Sequence, residues 1–195
     1  MSSTLEKLQQ RARVLEREIE AELAQRRERA GVHVERGKVW FDRQLLRRHR
    51  AARISLRDFL AATRPLVVLT APVIYGLIIP FVILDIAVTL YQWICFPVYG
   101  IPKVRRRDYI AIDRHHLAYL NALQKLNCVY CGYGNGLLAY VREVAGRTEA
   151  YWCPIKHARR LRDPHALYGD FMDYADEQDF IDRWVAEREK LRKLD

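Results

Sequence analysis

The stretch PLVVLTAPVIYGLIIPFVILDIAVTLYQWICFPVYGIP, from Pro65 to Pro102, decides the fold. It holds no Lys, Arg, His or Glu and a single Asp, Asp85. In a chain of 195 residues, so long an apolar run excludes an ordinary soluble globule. Pro80 lies near its middle and is expected to break a continuous helix, because it lacks a backbone N–H and its ring crowds the preceding turn. Two arms remain, Leu66 to Ile79 and Phe81 to Phe96, of 14 and 16 residues. At 1.5 Å per residue they reach about 21 and 24 Å, short of a hydrocarbon core roughly 30 Å thick. Both flanks are basic. Arg64 and an Arg-rich stretch come before, and Lys103, Arg105, Arg106 and Arg107 follow. Basic flanks stay on the cytoplasmic side, so the expectation is a membrane-embedded helical hairpin that enters and leaves by one face, with two short spans as the alternative. Trp93, with Tyr91 and Tyr99, is placed for the returning interface. Asp85 has no partner within the segment. It reads as a turn or capping residue or a protonated acid, with proton or cation handling as the rival.

Working outward toward the N-terminus, residues 38–64 are expected to form a basic amphipathic interfacial helix, chiefly over Val39 to Thr63. Trp40, Phe41, Leu45 and Leu46 supply apolar side chains, while Arg47, Arg48 and Arg50 belong to a run of cations opposed only by Asp42 and Asp58. A helix of this kind beside an apolar segment suits an anionic lipid surface. Nucleic acid ranks second, since no recognition motif accompanies the charge. Residues 1–37 form a charged helical arm: Glu, Arg, Ala, Leu and Gln from Thr4 to about Arg29 all lose little freedom in a helix. Leu5, Leu8, Ala12, Leu15 and Ile19 follow coiled-coil spacing until Glu22 and Arg26 interrupt it. A protein partner or a second copy could dock there, or the helix could be solvated. No apolar run opens the chain, so the arm is expected to remain cytoplasmic.

On the other side, residues 103–165 carry the sharpest chemical signal, Cys128-Val-Tyr-Cys131 and Cys153-Pro-Ile-Lys-His157. Two thiolates separated by two residues can point inward from one turn, and the second pair can close a tetrahedron. Cys128, Cys131, Cys153 and His157 are therefore expected to hold a structural Zn2+, with iron as the alternative. The stretch would be a small metal-stabilised module with helices at Ile110 to Leu126 and Leu137 to Arg147, short of a core of its own. A disulfide is disfavoured in a reducing cytoplasm. Residues 166–195 end in an amphipathic helix from about Asp176, acidic first and basic last as the helix dipole prefers.

The Cys128-Val-Tyr-Cys131-Gly-Tyr133 run resembles the first knuckle of rubredoxins and zinc ribbons, and Cys153-Pro154 resembles the opening of the second. His157 stands where those families have cysteine. The wider pattern CGYGNG followed by YVREVAGRTEAYWCPIKHA looks like an uncharacterised family of bacterial membrane proteins, which implies a bacterial inner membrane; the basic flanks of the apolar segment place both termini on its cytoplasmic side. The fold expected is mostly α. The function expected is a non-enzymatic, membrane-anchored metal-binding scaffold or accessory protein, with a membrane-associated redox protein carrying a Cys3His iron centre as the alternative. No nucleophile and base stand at a spacing that would mark an enzyme.

Overall fold

Alternation of apolar and polar side chains in Val32-His-Val-Glu35 and Lys38-Val-Trp-Phe41 overrides the helix expected from residue 39 onward. In the computed structural model these form an antiparallel hairpin, β1 (Val32–Glu35) and β2 (Lys38–Phe41), with Val32 opposite Phe41 and His33 opposite Trp40. The structure describes residues 3–35 and 38–194, leaving out the side chains at 3–6 and 9; Gly37 and the Leu5 seam position thus lie outside the described residues. The chain divides into two compact units, residues 1–62 with 113–125, and residues 63–112 with 126–195.

In the first unit, α1 (Ser3–Arg29) matches the helix read from composition, and its seam residues Leu8, Leu15 and Ile19 are all exposed. After the hairpin come α2 (Arg43–Ala51) and α3 (Leu56–Ala61) in place of one long helix. Ser55 begins α3 by accepting the Asp58 N–H at 3.1 Å, the ordinary capping geometry. The imidazole of His49 meets Phe41 and Tyr119 edge-on at 5.7 and 4.9 Å, tying residues 113–125 to the N-terminal stretch.

In the second unit the apolar segment forms α4 (Pro65–Gly76) and α5 (Ile78–Tyr99), joined at Leu77. Leu77 keeps a right-handed helical backbone, φ −64° and ψ −12°, so the chain does not double back and the expected hairpin is not seen. Pro80 falls in the first turn of α5, where N–H groups lack intrahelical partners anyway and its fixed φ suits the helix. That is why proline does not break the run. Gly100, at φ +70°, ends α5, and the Ile101 N–H reaches back to the Phe96 carbonyl at 2.9 Å.

Residues 101–121 return without an α-helix, making only 3-10 turns at Arg106–Asp108 and Arg114–His116. Then α6 (Ala122–Trp152) runs for 31 residues straight through the CVYCGYGNG motif. The core lies where α5, the returning chain and α6 meet, around Phe96, Ile101, Val104, Leu137, Tyr140 and Val144. Finally α7 (Phe180–Arg192) packs on the end of α6: Trp184 Nε1 and Arg188 Nε both donate to the Tyr151 carbonyl, at 2.9 and 3.0 Å. One orphan acceptor of the helix end is thereby satisfied. The Arg188 guanidinium also lies 3.8 Å from the Trp184 ring centroid.

Candidate functional site

Helix α5 has two faces that differ in chemistry. The covered face takes Phe81, Asp85, Val88, Gln92, Phe96 and Tyr99 at three- and four-residue spacing. The outer face exposes Val82, Ile83, Ile86, Leu90, Trp93 and Val98, with Trp93 65% and Val98 78% accessible while Phe96 is fully buried. Every strongly polar side chain of α5 lies on or beside the covered face. Helix α4 is apolar and exposed nearly all round, from Leu66 through Val73.

Asp85 finds the partner that its own segment lacks. Arg106, from the returning basic cluster, donates Nε to both carboxylate oxygens at 3.0 and 3.1 Å and Nη2 to Oδ2 at 2.6 Å. The Tyr133 hydroxyl donates to the same Oδ2 at 2.9 Å, and Thr89 reaches Oδ1 at 3.4 Å. The carboxylate holds the Arg106 guanidinium protonated beyond its ordinary range, and burial followed by the Asp85 hydrogen bond raises the Tyr133 hydroxyl. Asp85 is thus a structural anchor for the returning chain. Gln92 acts likewise. Its amide donates to the Val104 carbonyl at 3.2 Å and accepts the Val104 N–H at 2.9 Å, so it replaces a missing backbone partner for an irregular, buried segment.

The glycines of the motif give α6 its close neighbours. A Cβ on Gly136 would stand 2.7 Å from the Tyr109 carbonyl oxygen and 2.8 Å from Ile110 Cα, and one on Gly134 would stand 3.0 Å from the Phe81 ring. Gly146 is equally close to His165, whose ring bonds Glu149 at 3.0 Å. Arg147 is buried between Glu143, at 2.8 Å, and the Pro102 carbonyl, at 2.8 Å; it is no solvated surface charge.

The four expected metal ligands are not brought together. Cys128 and Cys131 lie within α6, Cys153 follows its last residue, and His157 lies four residues beyond. The helical rise separates Cys131 from Cys153 by about 33 Å, against about 2.3 Å for a zinc–thiolate bond, so the four do not fit one ion in this fold. No cluster of three or more His, Cys, Asp or Glu suited to a metal occurs among the described residues. The His157 ring is engaged with Tyr168, whose hydroxyl lies 3.3 Å from Nδ1 and also accepts the His157 backbone N–H at 2.7 Å. The turn expected at Cys128 to Cys131 is absent because α6 runs through both residues, with Gly134 and Gly136 used for close packing along the helix.

Of the expected lipid-facing residues, Trp40 is 58% exposed on β2, and Arg47, Arg48 and Arg50 project from α2 into solvent. Arg105 and Arg107 are exposed beside Asp108, and Lys103 Nζ stands 5.9 Å from the Trp93 ring. Comparison with known protein families, with curated proteins and with solved structures gives no match. Pro65–Tyr99, 35 residues, is long and apolar enough to span a membrane.

Proposed function

We propose that this protein is a non-enzymatic, membrane-anchored accessory or scaffold protein on the cytoplasmic face of a bacterial inner membrane. The observation that carries the reading is the division of α5: an uninterrupted apolar outer face, with its polar groups turned onto water-compatible protein. Exposed aliphatic area on that scale costs about 25 cal/mol for every Å2 left in water, which a lipid surface removes. Exposed α1, with Leu8, Leu15 and Ile19 uncovered, supplies a place for a protein partner or a second copy.

The test is to express the full chain carrying Ile83→Asp and Leu90→Asp and to separate membranes from cytosol. Both side chains point away from the core, so the substitutions leave the fold unperturbed while placing two carboxylates in the proposed lipid contact. The wild-type chain is expected in the membrane fraction after high-salt washing, and the double variant in the cytosol with an unchanged helical circular-dichroism spectrum. A folded double variant that stays with the membrane removes this reading.

A further inference from the structure

Resting on that membrane reading, we infer that α4–α5 lies along a single leaflet of an anionic bilayer and does not cross it, with the outer face of α5 among the acyl chains and Lys103, Arg105 and Arg107 against lipid phosphates.

The connectivity supplies the first argument. Residues 1–62 and 113–125 belong to one compact unit, and the rings of His49 and Tyr119 meet at 4.9 Å. The chain entering α4 and the chain that follows the return from α5 are therefore on the same side of any membrane. Had α4–α5 crossed, residues 101–121 would have to cross back. They contain no α-helix, only two 3-10 turns, together with Lys103, Arg105, Arg106 and Arg107. Hydrocarbon does not tolerate lipid-exposed irregular backbone, because its N–H and C=O groups have no partner there.

The second argument is positional. Arg106 is bound to Asp85, well inside the 35-residue apolar run, which fixes the neighbouring Arg105 and Arg107 at the same level of α5. A perpendicular helix centred on the bilayer would hold this cluster in the hydrocarbon. A helix lying along the leaflet puts it at the headgroups, where guanidinium meets phosphate bidentately. The length agrees: 35 helical residues extend for about 52 Å, far beyond the roughly 30 Å of a straight crossing, and a helix in the plane has no such limit. Lys103 beside the exposed Trp93 marks the border, since an indole ring is favoured at the headgroup level and a lysine can extend its ammonium into the phosphates.

The experiment uses the full chain with Cys95, Cys128, Cys131 and Cys153 replaced by alanine, all four being free thiols. A nitroxide is attached singly at Leu69→Cys, Ile83→Cys, Leu90→Cys and Val98→Cys, and the protein is bound to phosphatidylcholine–phosphatidylglycerol vesicles. Collision rates with oxygen and with a water-soluble nickel chelate give depth. Similar, shallow depths at all four sites are expected, within one leaflet, and an impermeant thiol reagent outside the vesicle should reach both Ala61→Cys and Arg107→Cys. A depth that rises to the bilayer centre and falls again, or labelling of only one of the two flanking sites, overturns the inference while leaving the membrane reading standing. Water-like collision rates at every site, with no flotation on vesicles, overturn both.

Discussion

Gly136→Ala tests the central helix most directly. If α6 runs through the CGYGNG motif, Gly136 faces the backbone of the returning chain, with the Tyr109 oxygen 2.7 Å and Ile110 Cα 2.8 Å from the new methyl. Neither atom can rotate away as the end of a side chain could. Overpacking of this kind costs about 1–3 kcal/mol, with backbone neighbours at the upper end. Alanine in place of glycine within a helix returns about 1 kcal/mol. The net loss is about 1–2 kcal/mol, a fall in Tm of roughly 2–8 °C for a chain of this size. Gly76→Ala is the matched control: it is also helical, and nothing lies within 4 Å of its Cβ, so only the propensity gain remains and Tm should rise by roughly 2–4 °C. Gly134→Ala should fall between, since the Phe81 ring edge at 3.0 Å can shift. Thermal unfolding in one detergent, followed by circular dichroism at 222 nm, ranks the three. Stabilisation by Gly136→Ala equal to that by Gly76→Ala would refute the close approach of residues 109–110 and with it the continuous packed helix.

Replacing Lys103, Arg105 and Arg107 together by Gln should lower affinity for anionic vesicles by about two orders of magnitude at low salt, from about 1 kcal/mol for each cation. Equal binding by sedimentation would leave the charge argument without support. Asp85→Asn should cost about 1–2 kcal/mol, the low end for charge-assisted bonds because Arg106 is half exposed. Arg106→Gln should add little on that background in chemical denaturation, and full additivity would show that the two side chains do not interact. Cys131→Ser should leave the helical signal and Tm nearly unchanged, and the wild-type protein should carry no stoichiometric metal by elemental analysis. One zinc or iron per chain, lost with collapse of the fold on Cys131→Ser, would require α6 to open around Cys128 and Cys131.

Legibility in the sequence followed the range of the interaction. Helix α1, the apolar run and α7 rest on composition and local periodicity, and all were readable within a residue or a few. The β1–β2 hairpin was also readable, through Val32, Val34, Val39 and Phe41, but the surrounding arginines and the Trp40-Phe41 pair favoured an amphipathic helix instead. Helix α6 was hidden for a stronger reason. Its motif glycines each cost about 1 kcal/mol in an isolated helix and resemble a metal knuckle, and only packing by Phe81, Tyr109 and Ile110 recovers that loss. The polar partner of Asp85 is hidden by distance along the chain, since Arg106 follows 21 residues later and in sequence has the look of a flank of the membrane segment. A basic flank and a buried-acid partner look the same in one dimension.

The covering of α5 by α6 then bears on function through charge. Where α6 faces the second half of α5 and the returning chain, it carries Glu143, Arg147 and Thr148; Arg147 holds the Pro102 carbonyl, and Thr148 shares a 3.0 Å hydrogen bond with Tyr91. These groups are partnered inside protein, and Arg142 nearby extends to Asp163 at 2.8 Å on the outside. A helix so charged cannot accompany α5 through hydrocarbon, because each ionised group would have to leave water for a medium in which it is strongly disfavoured. Yet α5 cannot part from α6 without breaking the hydrogen bonds that join Asp85 to Tyr133 and Gln92 to Tyr140. The same helix must therefore keep one side on a charged protein surface and offer the other, purely apolar side outward, a requirement met at the boundary between a membrane and water.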